Sequence, residues 1–312
     1  MAKIRIMATL GRLLAWWLFV AMAADAVADE SLHGPQSASA PTRRLTASTA
    51  STPPGNSISL DIPDTGQEKR RPDSGWCGEA AIQMALSYYG VYASQKAINH
   101  AGKPGHPDLY ANEIPVAMRS LGLEFTAWKG NGLQAFSKWV QGQLADGHPV
   151  LLGVKIYPTA HPEWGLDHFV LAVGCTKDAL TLNTTWRRQE TRSFTLLSSQ
   201  DKGLSFVNRY GTFYGYAITG IKAMSAPDGF KPTRIRISRS GDKEVELRIT
   251  AEHLERGKRY RLLRFMDLAT AWQPGAKGDL VRSFVAEGAK ADSVEKIGID
   301  DARLYRCLPS SN

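Results

Sequence analysis

The stretch Asp73-Ser-Gly-Trp-Cys-Gly-Glu-Ala-Ala81 opens an apolar-striped segment that runs to Gly90. Ala81, Met84, Ala85 and Tyr88 recur at helical spacing, so a helix is predicted over residues 78–89 with Gly90 as its stop. Three further helices are predicted at Ser94 to His100, Glu113 to Leu121 and Leu133 to Leu144, the last stopped by Asp146-Gly147. Strand patterns then follow at Val150 to Ile156, His168 to Val173, Leu180 to Asn183 and Phe213 to Ile221. Helices first and antiparallel strands afterwards indicate an α+β fold over residues 58–225.

The chain changes character on either side of that region. Beyond it, Thr233 to Ser238 and Glu244 to Ile249 alternate strictly, and Arg259 to Arg264 follows a Gly-Lys turn. Period-two patterning with closely spaced turns predicts a small all-β, sandwich-like domain over residues 226–312. Ahead of it, residues 29–57 are rich in Ala, Ser, Thr and Pro without apolar periodicity, which reads as a disordered tether. Residues 1–28 read as a signal peptide: Lys3, Arg5 and Arg12 are basic, Leu13 to Ala24 is apolar, and Ala26-Val27-Ala28 is a cleavage site. The expected location is therefore exported, periplasmic or secreted, after cleavage near Ala28. Losing that segment reduces the net charge of +8 by two, and no basic tract of five or more remains to suggest nucleic acid. The composition, 43% hydrophobic and 22% charged, is that of a globular chain, and no further segment predicts a membrane-spanning partner.

Cys77 is the sharpest candidate for chemistry. It stands at the entrance of the predicted helix, where unpaired backbone N–H groups and the positive end of the dipole favour a thiolate. Gly78 leaves room beside the sulfur for a carbonyl, and the Cys77 N–H is a candidate oxyanion donor. The alternative is a small buried hydrophobe or a disulfide partner. His168 heads an alternating strand and Asn183 ends the next one, so a hairpin brings the two together. The amide then fixes the imidazole tautomer while the other ring nitrogen faces the thiol. A strand-edge histidine and a turn asparagine are the plain alternative.

The sequence Gly-Trp-Cys-Gly-Glu-Ala-Ala, then Tyr88-Tyr-Gly90, then His168-Phe-Val-Leu-Ala-Val-Gly174, then Asn183 resembles the papain-like cysteine peptidases. It is most similar to their compact branch, which includes the bacteriocin-leader (double-glycine) peptidases of the C39 type. The spacing from Cys77 to His168 is shorter than the ~130–150 residues of papain and the cathepsins. The resemblance implies that Cys77 is the nucleophile, His168 the general base and then acid, and Asn183 its orienting partner. Such enzymes carry a glutamine oxyanion donor six residues before the cysteine. Arg71 holds that position here; Gln67 reaches the site only if residues 69–74 bulge out, and the Arg71 guanidinium or a backbone amide is the alternative donor. The bacteriocin-type pattern also places an aspartate directly after Asn183, where this chain has Thr184.

Around these residues, Trp76 and Trp164 are expected to line the cleft. Asp167 is either a substrate-side charge or a solvated strand edge, and Glu79 a structural first-turn acid. Histidines 106 and 161 are read as surface residues. No clustered ligand set suggests a metal, and nothing calls for a cofactor. With Cys77 a free thiol, Cys175 and Cys307 form an even pair that either bridges the two domains or stays unpaired and buried. The expected activity is an exported cysteine peptidase acting on a peptide or protein substrate. The alternatives are a cell-wall peptide amidase or endopeptidase on the same fold, and a papain-like binding module with weakened catalysis. The β domain is a candidate reader of a cell-surface polymer.

Overall fold

The computed structural model describes residues 57–310, apart from 69, 72–73, 157–162, 200–202, 209, 223–230, 242 and 267–276. The expected signal peptide, nearly all of the tether, and His161 lie outside the described residues. In chain order the elements are β1 (Ile58–Ser59), β2 (Arg70–Arg71), β3 (Ser74–Gly75), α1 (Cys77–Tyr88), β4 (Val91–Ala93), α2 (Gln95–Gly102), α3 (Ile114–Ser120), β5 (Leu123–Ala127), α4 (Leu133–Ala145), β6 (Val150–Val154), β7 (His168–Cys175), β8 (Ala179–Asn183), β9 (Gln189–Ser193), α5 (Phe194–Leu197) and β10 (Gly215–Ile221). Six strands follow: β11 (Thr233–Arg239), β12 (Glu244–Ala251), β13 (Arg259–Phe265), β14 (Asp279–Val285), β15 (Ala291–Gly298) and β16 (Ala302–Pro309). The fold is α+β, and among the described residues every strand ladder is antiparallel.

Helix α1 is the centre of the fold. Every residue from Gly78 to Tyr88 is buried, so this helix has no solvent face. Its sequence explains that: Ala80, Ala81, Ile82, Met84, Ala85 and Leu86 encircle it, and a helix apolar all round must be enclosed. Two of its polar side chains bond to backbone carbonyls around it. Gln83 Nε2 donates to Ala93 O at 2.8 Å, and Tyr88 Oη donates to Gly147 O at 3.3 Å. The stop at Gly90 has two causes. Its φ of 76° lies in the left-handed region, and a Cβ there would stand 2.0 Å from Thr233 Oγ1.

The large sheet runs β5-β10-β6-β7-β8-β9, with β1 on β7. Its central strands β6 and β7 are buried along their whole length, with side chains from α1 on one side and α4 on the other. The C-terminal strands form two sheets, β11-β12-β15 and β14-β13-β16-β4. The second includes a strand from far upstream: Val91, Tyr92 and Ala93 pair with Leu304, Arg303 and Ala302. Tyr92, Ile235, Leu247, Tyr260, Leu262 and Tyr305 share one buried cluster between these sheets. Among the described residues no helix is long and apolar enough to cross a membrane. Cys175 and Cys307 are both buried and both unpaired, so the two cysteines form no bridge.

This sharing of β4 predicts cooperative unfolding. Tyr92 is fully buried, and its hydroxyl donates to Ile299 O at 3.0 Å. Tyr92→Ala should cost ~3–5 kcal/mol, and urea melts followed by tryptophan fluorescence and by circular dichroism should shift together. Two separated transitions, with the first unshifted, would show that the C-terminal sheets unfold on their own.

Candidate active site

Cys77 is the first residue of α1 and the only one of that helix that is not fully buried. Phe169 packs beside the helix start, since a Cβ added to Gly78 would stand 3.3 Å from its ring, and the backbone N–H groups of Phe169 and Gly78 favour the thiolate. That packing sets the start of α1 against the residue that follows His168. Burial nevertheless pushes the thiol up to about 12, and the nearby Glu79 and Asp108 carboxylates push in the same direction. The low thiol value expected from the helix start is therefore overridden by desolvation, because two N–H contacts do not replace bulk water.

His168 begins β7 and is buried. Its Nε2 lies 2.9 Å from Thr184 O and 3.3 Å from Thr185 Oγ1. A carbonyl oxygen only accepts, so Nε2 carries the proton and Nδ1 carries the lone pair. The indole of Trp186 stacks on the ring at 4.6 Å between centroids. Burial lowers the imidazole to about 4, against smaller opposing effects from Thr184 O and Asp167. The resting pair is thus a neutral thiol and a neutral imidazole.

Asn183 does not hold His168. Its ladder partner is Leu171, three residues along β7 from His168, and strand alternation puts an odd separation on the opposite face. Asn183 Nδ2 instead donates to Ile62 O at 2.9 Å and contacts Met84 Sδ, while Oδ1 is buried without a hydrogen-bond partner among the described residues. The imidazole is held by the loop beyond Asn183, which turns back at residues 184–188 to join β8 to β9.

The remaining sequence candidates divide clearly. Ahead of Trp76, Arg70 pairs with Gly75 and Arg71 with Ser74 in a short antiparallel ladder. Its closure brings Gln67 back: a Cβ added to Gly75 would stand 2.8 Å from Gln67 Oε1, immediately ahead of Trp76 and Cys77. The side chain of Arg71 lies outside the described residues. Gly78 leaves no open space for a carbonyl at its Cα, because a Cβ there would meet Ile114 Cδ1 at 2.6 Å and Phe169 Cδ2 at 3.3 Å. Its role is close packing of the helix start. Trp76 is buried, with its indole donating to Pro107 O at 2.7 Å, and so fastens the loop before α1 instead of lining an open cleft. Trp164 is 48% exposed and lies over Lys155 Nζ at 5.8 Å.

Asp167 is not a solvated strand edge. It is buried against Lys155 at 3.1 Å and accepts from Ile156 N at 2.7 Å. Glu79 is fully buried, accepts from Asn99 Nδ2 and Leu109 N, and has no partner for Oε2 among the described residues. Burial raises it to about 7. His106 is only partly buried and sits between Asp108 and Glu113, stacked on Tyr110 at 3.5 Å. Among the described residues no group of three or more His, Cys, Asp or Glu could hold a metal ion.

A family model matches residues 59–218, just over half of the chain, and describes the peptidase C39-like family. The chain belongs to the peptidase C39-like family. The match spans Gln67, Cys77 and His168 and ends within β10, so all six C-terminal strands lie beyond it. Membership in the C39-like family points to a cysteine peptidase. A search of curated proteins found no match.

Several residues that shape this C39-like site were given no role in the sequence reading. Asp64, Thr185 and Trp186 build the environment of His168, and Lys155 neutralises Asp167. Asp64-Thr-Gly66 did carry a local signal, since Asp64 Oδ1 accepts from Gly66 N two residues on, the Asx turn that Asp-x-Gly favours.

Glu79 gives a stability test with a definite sign. Its carboxyl binds a proton more tightly when folded, so the stabilisation is complete below about 4.5 and is lost as pH rises through about 7. Between pH 4.5 and 8 the native protein should lose about 3 kcal/mol more than Glu79→Gln does. Equal pH dependence of the two in chemical denaturation would contradict this assignment.

Proposed function

We propose that the protein is an exported cysteine peptidase in which Cys77 attacks a peptide bond and His168 moves the proton. The observation that carries this reading is the packing of Phe169 against Gly78, which sets the helix start at Cys77 beside a histidine whose Nε2 is committed to Thr184 O. Nδ1 is then the nitrogen that takes the thiol proton as the sulfur adds to the scissile carbonyl. Collapse of the tetrahedral intermediate breaks the C–N bond, and the protonated Nδ1 gives its proton to the leaving amine. Water, deprotonated by Nδ1, hydrolyses the thioester and regenerates the thiol. Because both groups rest neutral, proton transfer accompanies attack and no preformed ion pair is required.

The oxyanion would be met by the Cys77 N–H at the start of α1 and by the side-chain amide of Gln67. The short ladder of Arg70–Arg71 with Ser74–Gly75 supports Gln67 over Arg71, since it returns the chain to within reach of Gly75. Export rests on the basic, apolar and Ala-Val-Ala pattern of residues 1–28. We assign residues 226–312 to an accessory β domain, supported by the shared cluster between its two sheets, with a cell-surface polymer as its proposed partner.

The test uses the mature protein with a peptide library and a peptidyl thiol-directed electrophile. The native protein should cleave, the electrophile should modify Cys77, and Cys77→Ala should lose at least about 10³-fold in kcat/KM. Modification at Cys175 or Cys307 with turnover intact in Cys77→Ala would overturn the reading. Soluble fragments released from purified peptidoglycan would place the substrate among cell-wall peptides.

A further inference from the structure

The segment at residues 64–67 grips the loop that holds His168, and the grip is made almost entirely through one carboxylate. Asp64 Oδ2 accepts from Thr185 N at 2.9 Å and from Arg188 N at 3.2 Å, while Oδ1 accepts from Gly66 N at 2.8 Å. Gln67 N donates to Thr185 O at 2.7 Å, so both polar groups of Thr185's backbone are used by this one segment. Thr184 Oγ1 closes the loop on itself by donating to Arg188 O at 2.9 Å. The loop needs external support. Thr185 and Arg187 have φ values of 67° and 64°, a region that costs a β-branched residue heavily unless its surroundings impose it. Thr185 pays that cost where its hydroxyl and the preceding carbonyl both meet His168 Nε2.

We propose that Asp64 is the positioning carboxylate of this site: through the backbone of Thr185 it holds the Thr184 carbonyl and Thr185 hydroxyl on His168 Nε2 and so keeps the lone pair on Nδ1. The proposal rests on the peptidase reading for its kinetic consequence but not for its structural one. In an arrangement of this kind the carboxylate never touches the imidazole. It acts one peptide away, and because Gln67 grips the same residue from the other side, the base and the proposed oxyanion donor share a single anchor. The other groups facing His168 are accounted for: Asp167, just ahead of β7, is paired with Lys155 from beyond β6, and Trp186 from the loop contributes an uncharged ring.

Asp64→Ala and Asp64→Asn separate this role from a merely structural one. In ¹⁵N-histidine NMR the native His168 should show the Nε2–H tautomer. Asp64→Ala should mix the tautomers, lower kcat about 10–100-fold and leave KM within about three-fold. Asp64→Asn keeps an acceptor but sets an –NH₂ group among N–H donors, so it should recover most of the melting temperature and only part of the tautomer preference. If Asp64→Ala does not fold, the Asn variant carries the test alone. Native tautomer and native kcat in a folded Asp64 variant would overturn the proposal, as would a fall in melting temperature with the His168 signal unchanged. The NMR readout needs no turnover, so a protein without peptidase activity that still loses the tautomer on Asp64 substitution would retain the positioning role while refuting the catalytic reading.

Discussion

The enclosure of α1 is the constraint on which the rest depends. A helix whose every residue after Cys77 is buried has to be covered on all sides, and the chain provides that cover from distant places. Phe169 and its neighbours on β7 cover one side, α2 a second, and β4 with β11 a third. Arg234 of β11 lays its guanidinium 4.0 Å from the ring centre of Tyr88, and Thr233 fills the space that Gly90 leaves open. The C-terminal strands are thus structurally tied to the region that carries the site, although they lie outside the family match.

The same enclosure governs the electrostatics. Its exit point is the N-terminus of α1, where Cys77 emerges only partly and stays protonated because little water reaches it. His168, equally dry, stays neutral. A site built from two neutral groups depends on geometry more than on stored charge, because the proton must move at the moment of attack. That places the burden on the loop at residues 184–188 and on the residues that fix it.

Much of this was legible in the sequence, and what was not has identifiable causes. The helices starting near Cys77, Gln95, Ile114 and Leu133 follow from local periodicity and turn residues, which are properties of neighbours along the chain. Cys77 and His168 stood out because each sits at the start of an element with a strong pattern. Asn183 was misplaced because a hairpin predicts that two strands meet but not their register, and a change of one residue in register reverses the face. The pairing of β4 with β16 joins residues more than two hundred positions apart and had no local signature. Asp64 was overlooked since its partners are backbone N–H groups, which any sequence supplies. The thiol expected to be acidic from its helix start proved to be controlled by burial, a property of the assembled structure.

A crystal structure of the mature protein with a peptide aldehyde tests the central claim most directly. The account predicts a thiohemiacetal on Cys77 Sγ, its oxygen within hydrogen-bond reach of the Cys77 N–H and the Gln67 side chain, and His168 Nε2 still on Thr184 O. An aldehyde left free in the cleft, or a thiohemiacetal with His168 turned so that Nε2 faces the sulfur, would contradict it.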